Sequence, residues 1–314
     1  TSRDNSDFID AGILEGDSEG KTDTDGSGAV QLPEGQPLSV EQLNPIFAAE
    51  KSNLCILAGD VGSGKTALLT NIYHAVLTGK YQEKYLFAGS QTLAAFEERA
   101  FPTRVDSMRA QPDVGRTPKG SIDQFLHLRF QRRDSGEMIN LLTTDFAGED
   151  FKEIHADIHA AQERFPVACA AAHFLYILNG ELLIRKRDRD GELLRMEHLL
   201  RTFSDGGLLK HNSRILIVIS KYDLIAKMDE GSFSDFANSI LARVVKKIPA
   251  LEERCRLYQI AAMPGDTETC LVGYGVEQLL DDILAESSVW SKATQRQVSE
   301  MKSQFNLWGE LAKR

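Results

Sequence analysis

The chain has 314 residues, 42% of them hydrophobic and 26% charged, and a net charge of −10. That length suits one large α/β domain with appendages or two small domains. The acidic balance disfavours bulk binding to nucleic acid or anionic membranes, and no apolar run approaches the ~20 residues that a spanning helix needs.

Residues 1–35 are rich in Asp, Glu, Gly, Ser and Thr and poor in large apolar side chains. Such a stretch cannot bury enough surface to offset its ordering entropy, so a flexible acidic arm is expected. It lacks an apolar signal core. The chain does not begin with Met, which fits a processed, tagged or excised product. Cys55, Cys169, Cys255 and Cys270 show no C-x-x-C spacing. Cys55, Cys169 and Cys270 lie beside apolar stretches, which predicts buried free thiols and a reduced, cytoplasmic setting.

Leu54–Ala58 is a short apolar run, read as a buried parallel strand. Gly59-Asp60-Val61-Gly62-Ser63-Gly64-Lys65-Thr66 follows and fits G-x-x-x-x-G-K-[ST]. The glycines let the backbone wrap so that the amides from Asp60 to Ala67 point at phosphate oxygens. Lys65 can reach the outer phosphates, and the Thr66 hydroxyl can sit on Mg²⁺. From Ala67 a helix runs to about Leu77, with its anion-attracting N-terminus at the loop. A second helix is expected over Gln91–Ala100, then a Pro- and Gly-containing loop over 102–120.

Phe125–Phe130 and Met138–Thr144 read as strands separated by the polar turn Arg132–Glu137. A turn this short allows only antiparallel pairing. Later strands are expected over Phe174–Leu178, Arg214–Ser220 and Arg256–Ala261. Helices are expected around 150–164, 191–203, 234–247 and 275–286, and Arg185–Arg189 is read as a solvated basic loop. The fold class is therefore α/β: a three-layer, mostly parallel sheet with one antiparallel edge strand and helices on both faces. His155 and His159, four apart, are read as a polar helix face rather than a metal site. Val298, Met301, Phe305 and Trp308 mark an amphipathic helix over 288–314, which either docks on its own domain or joins a partner or second domain.

Two more motifs end strands. Asp145-Phe146-Ala147-Gly148 fits D-x-x-G, with Asp145 placed to hold Mg²⁺ and the Gly148 amide to face a γ-phosphate. Ser220-Lys221-Tyr222-Asp223 fits [NST]-K-x-D. Asp223 can accept two bonds from the guanine N1–H and exocyclic amine, a donor pair that adenine lacks. The Lys221 stem can cover the base, and the small Ala261 and Ala262 would let an amide approach guanine O6.

On these motifs the chain resembles a Ras-like P-loop GTPase of the translation-factor-related class over about residues 50–287. Leu32–Gly35, Ala88–Ser90, Arg116-Thr117 and Gly148-Glu149 look like the bacterial double-GTPase families of conflict systems. The resemblance implies GTP and GDP as ligands, Mg²⁺ as cofactor and γ-phosphate hydrolysis. It also implies a switch threonine, for which Thr117 is the candidate and Thr103 the second choice. Arg116 could act as an arginine finger in cis. Glu149 stands where many Ras-like enzymes carry a water-orienting Gln, Val61 where Gly is frequent, and Ser220 where Asn is commoner. Slow turnover, raised by a partner or by dimerisation, is expected. A P-loop ATPase or phosphotransferase and a non-hydrolysing nucleotide-bound scaffold remain open.

Overall fold

A computed structural model describes residues 34–104, 107–108, 123–154, 157–227 and 230–285. Residues 1–33 of the expected N-terminal arm and the C-terminal amphipathic helix, together with Arg116, Thr117 and His155, lie outside the described residues.

Seven strands form one sheet: β1 (Ser52–Ala58), β2 (Tyr85–Gly89), β3 (Phe125–Arg132), β4 (Met138–Thr144), β5 (His173–Leu178), β6 (Arg214–Ile219) and β7 (Cys255–Gln259), in the order β2-β3-β4-β1-β5-β6-β7. β1 pairs in parallel with β4 and β5, and β5–β6–β7 continue in parallel. β3 runs antiparallel to both neighbours. The expected hairpin is therefore present, but its antiparallel strand is second from the edge. Tyr85–Gly89, which the sequence reading did not take as a strand, lies outside it.

The helices are α1 (Val40–Ala49), α2 (Lys65–Leu77), α3 (Leu93–Ala100), α4 (Gly148–Lys152), α5 (Ile158–Arg164), α6 (Gly180–Ile184), α7 (Lys186–Asp205), α8 (Tyr222–Ile225), α9 (Glu230–Lys247) and α10 (Val276–Leu284). The basic run Arg185–Arg189 corrects to the N-cap and first turn of α7. Helix α1 was not anticipated. Its start carries a capping-box feature, the Ser39 N–H donating to Gln42 Oε1 at 2.8 Å, and Pro45 sits inside it.

Alternation along β1 distributes the core. Leu54, Ile56 and Ala58 join one cluster with Leu43 and Ile46 of α1, Met196 and Phe203 of α7 and Ile240 of α9. Cys55 and Leu57 join the other, with Leu68 and Ile72 of α2, Phe96 of α3 and Leu280 of α10. Both faces of the sheet are thus covered, as a parallel sheet requires. All four cysteines are free; Cys55 and Cys270 are buried, whereas Cys169 and Cys255 are half-buried, so Cys169 departs from expectation. No helix among the described residues is long and apolar enough to cross a membrane.

Candidate functional site at the carboxyl ends of the strands

Strand order reverses at β1: β4 lies on one side and β5 on the other. Open α/β sheets bind ligands in the crevice at such a switch point. The loop Gly59–Gly64 leaves β1 there and enters α2. Gly59, Gly62 and Gly64 all have positive φ, at 146°, 74° and 100°, which side-chain-bearing residues rarely adopt. Gly59 is also hemmed in, since a Cβ there would stand 2.6 Å from the Ile177 oxygen.

The Lys65 ammonium is buried and donates to the carbonyls of Gly59 at 2.7 Å and Asp60 at 3.1 Å. Burial pulls its pKa down to about 8, against the opposing pull of Asp145, Asp60, Glu149 and Glu192. The Ser63 hydroxyl is buried without a partner in the described chain. Thr66 and Ala67 form the half-buried first turn of α2.

D-x-x-G leaves β4, beside β1. Phe146 is fully buried and packs edge-on against Phe125 at 6.4 Å and tilted against Phe165 at 5.3 Å. Burying that ring fixes the direction of its neighbour Asp145, whose Oδ1 lies 3.4 Å from the Thr66 hydroxyl. Gly148 is pressed against the glycine loop, for a Cβ there would meet Val61 N at 2.4 Å. Glu149 follows, half-buried in the first turn of α4 and close enough to act on the Lys65 charge.

The third motif leaves β6. Ser220 faces the glycine loop: a Cβ on Gly64 would stand 3.5 Å from its Cβ. Lys221 takes a left-handed backbone (φ 53°) and pairs with Glu181 at 3.0 Å. The buried Asp223 follows in the first turn of α8, where its Oδ2 accepts from the Gly265 N–H at 3.0 Å. Beyond β7, the Ala261 N–H is donated to the Tyr274 oxygen at 3.0 Å and the Ala262 oxygen accepts from Asn71 at 2.8 Å. Thr103 is held beside α2, donating to the Ala100 oxygen at 2.7 Å with His74 Nε2 at 3.3 Å.

These loops and strand ends, separated by up to two hundred residues of sequence, converge on one edge of the sheet in the order in which a P-loop GTPase carries them. Residues 55–284 match the Double-GTPase 2 family. The chain belongs to that family. No curated protein matches it. Among solved structures, this double-GTPase chain is similar to bacterial selenocysteine-specific elongation factor EF-Sec, at 16% identity and a TM-score of 0.37 over 74% of this chain and 28% of that one. It is similar to Sup35 complexed with GDP at 12% identity and a TM-score of 0.35, over 71% of this chain and 41% of that one. A third is the S. cerevisiae Ski7 GTPase-like domain bound to GTP, at 11% identity and a TM-score of 0.37 over 71% and 45%. The double-GTPase chain thus spans less than half the length of each.

Several residues at this edge carry no motif. Arg195 of α7 reaches Asp60 Oδ2 at 2.5 Å and Glu192 Oε2 at 2.7 Å. Glu192, fully buried, also accepts from the Asn179 N–H at 2.9 Å, and the Asn179 amide donates to the Gly62 oxygen at 3.3 Å. Arg99 of α3 donates from Nε to Asp145 Oδ2 at 2.7 Å. A faint trace exists in the sequence. Arg99 shares a helical face with Ala95 and Phe96, and Glu192 and Arg195 share one with Met196 and Leu199; charges on an apolar face need partners.

Proposed function

We propose that this double-GTPase chain binds GTP with Mg²⁺ and hydrolyses the γ-phosphate as a molecular switch. The observation that carries the reading is the approach of the β6 loop to the glycine loop, Ser220 against Gly64. The buried Asp223 carboxylate lies three residues beyond Ser220 on that loop. In this reading the amides from Asp60 to Ala67 and the Lys65 ammonium hold the phosphates. Asp223 selects guanine, Lys221 covers the base and the Ala261–Ala262 backbone meets O6. The Ala261 N–H is already taken by Tyr274, so the O6 donor is assigned to Ala262.

The donor set fits magnesium: a hydroxyl and a carboxylate oxygen, both hard ligands, face each other across 3.4 Å at Thr66 and Asp145. Thr117 would join them. When bound, the ion neutralises charge on the β- and γ-phosphate oxygens. Water attacks the γ-phosphorus, the bond to the β–γ bridging oxygen breaks, and GDP and phosphate leave. The Gly148 amide senses the γ-phosphate. Glu149 offers a carboxylate where an amide would orient water, and Val61 narrows the approach; both support slow turnover by the chain alone, stimulated by a protein partner or by dimerisation, with Arg116 as a finger in cis. A cytoplasmic setting, in line with the four free cysteines, and service in a bacterial conflict system complete the proposal.

The test is thermal unfolding with Mg²⁺ plus GTP, GDP or ATP. A ligand at 100-fold its Kd adds ~2.7 kcal/mol to the folded state. Stabilisation by guanine nucleotides alone is expected; stabilisation by ATP would overturn the base assignment. Phosphate release from GTP then tests hydrolysis, and its complete absence would leave a nucleotide-bound scaffold.

A further inference from the structure

We propose that Arg99 is a positioning residue for the Asp145 carboxylate, holding one oxygen so that the other is presented to the cation beside Thr66. The inference rests on the assignment of Asp145 to the Mg²⁺ side of the site.

Among the described residues, the two carboxylate oxygens meet different groups. Oδ2 accepts from Arg99 Nε at 2.7 Å, while Oδ1 faces the Thr66 hydroxyl at 3.4 Å. Asp145 is 2% exposed and Arg99 16%, so the pair is shielded from water and salt. A carboxylate free to rotate about its last torsion would present either oxygen; a charge-assisted bond to one of them removes that freedom.

Arg99 is itself fixed. Its Nη1 donates to the Ala95 oxygen at 2.9 Å, one turn back along α3. That helix is clamped onto α2, the helix that begins at Lys65. Phe96 stacks on Tyr73 with centroids 5.0 Å apart and planes 13° from parallel. Glu97, next along α3, accepts from the Tyr73 hydroxyl, and Arg104 pairs with the same carboxylate at 2.9 Å. The guanidinium therefore belongs to a rigid unit built on the helix that carries Thr66. Hydroxyl and carboxylate, 79 residues apart in sequence, are set in register through α3. Such outer partners of metal ligands typically contribute 10–100-fold in metal affinity.

The experiment uses the full chain stripped of nucleotide, with fluorescently labelled GDP as the probe, titrated with Mg²⁺ and measured again in EDTA. For Arg99→Ala the Mg²⁺ concentration giving half the effect on GDP affinity should rise ~10–100-fold. In EDTA, GDP affinity should stay within about threefold of the parent, since the glycine loop is untouched. Arg99→Lys should recover part of the loss, because an ammonium restores the charge without the fork that also reaches Ala95. An unchanged Mg²⁺ requirement in a folded variant would overturn the proposal. So would a lower requirement, which would make Arg99 a competitor of the ion. An equal loss of GDP affinity in EDTA would also overturn it, as that indicates general damage. If the alanine variant does not fold, Arg99→Gln is decided by the same criteria. Parent GDP binding indifferent to Mg²⁺ would instead remove the metal assignment itself, before any variant is compared.

Discussion

In the proposed reading the crevice has a phosphate end at the glycine loop and a base end at Asp223, and the two are built differently. At the phosphate end three charged side chains already have partners from their own chain: Lys65 on the loop carbonyls, Asp60 on Arg195, Asp145 on Arg99. At the base end the buried Asp223 accepts from one backbone amide, and Lys221 pairs with the partly exposed Glu181. The phosphate end is thus a pre-set electrostatic frame held by contacts within the chain. At the base end much of the acceptor capacity of one carboxylate remains for the ligand to fill. Affinity should accordingly be concentrated at a single side chain at the base end and spread over a network at the phosphate end.

Removing that single side chain should have the largest effect. Two charge-assisted bonds at ~1.5–3 kcal/mol each predict that Asp223→Ala weakens GTP binding by ~10²–10⁴-fold. Asp223→Asn should move preference from guanine toward xanthine nucleotides, read by competition against labelled GDP. A GTP-over-ATP preference that survives in both variants would erase the contrast between the two ends.

The network should instead register in stability. Arg195→Ala leaves Glu192 and Asp60 without their shared cation. Arg195 is 32% exposed, so water compensates in part and the loss falls below the ~3–5 kcal/mol of a fully buried pair, at ~1–2 kcal/mol. For a domain of this size that lowers Tm by roughly 2–4 °C per kcal/mol. The drop should be larger without nucleotide than with it, because bound phosphates hold the loop from the other side. Equal drops in the two states would mean that Arg195 supports α7 rather than the loop.

Gly148→Ala tests where the two halves of the phosphate end meet. Its Cβ would lie 2.4 Å from Val61 N, an overlap of the kind that costs ~1–3 kcal/mol. Movement of α4 away from the loop would relieve it. GTP affinity should then fall by ~5–100-fold while GDP affinity changes little, since only the γ-phosphate needs that amide. Loss of both nucleotides alike would indicate distortion of the glycine loop instead.

What was legible in the sequence follows the same division. The strand, glycine loop and helix around Lys65 announce themselves because their chemistry is local: residues 59–66 need only each other's backbone. Asp145 and Asp223 were legible as strand-end carboxylates. The frame around them was not, because Arg99 meets Asp145 across 46 residues and Arg195 meets Asp60 across more than a hundred. No periodicity records such a meeting. The same holds for the edge of the sheet. Tyr85–Gly89 is a short strand with a register shift between Phe87 and Gly89, and only its pairing with β3 marks it as a strand.

Lys65 supplies the most discriminating effect. In the chain without nucleotide, burial lowers its pKa from 10.5 to about 8. Between these values the unfolded chain binds more protons than the folded one. Stability should therefore rise with pH from about 8 to about 10.5, by up to ~1.4 kcal/mol per pH unit; below 8 this group adds no slope, because its full burial penalty is already present. Other groups titrate in that window, so the measured quantity is the difference between the parent and Lys65→Met, which lacks the slope. At pH 7 the methionine variant should be more stable than the nucleotide-free parent, by ~1–3 kcal/mol, because it spares the chain a buried ammonium. Bound GTP should reverse that order: phosphate oxygens raise the lysine pKa again, and the slope above pH 8 should vanish for the parent alone. A parent whose stability shows the same pH slope with and without GTP would mean that the ammonium stays on the Gly59 and Asp60 carbonyls, and that the phosphate end is not the preset frame its contacts describe.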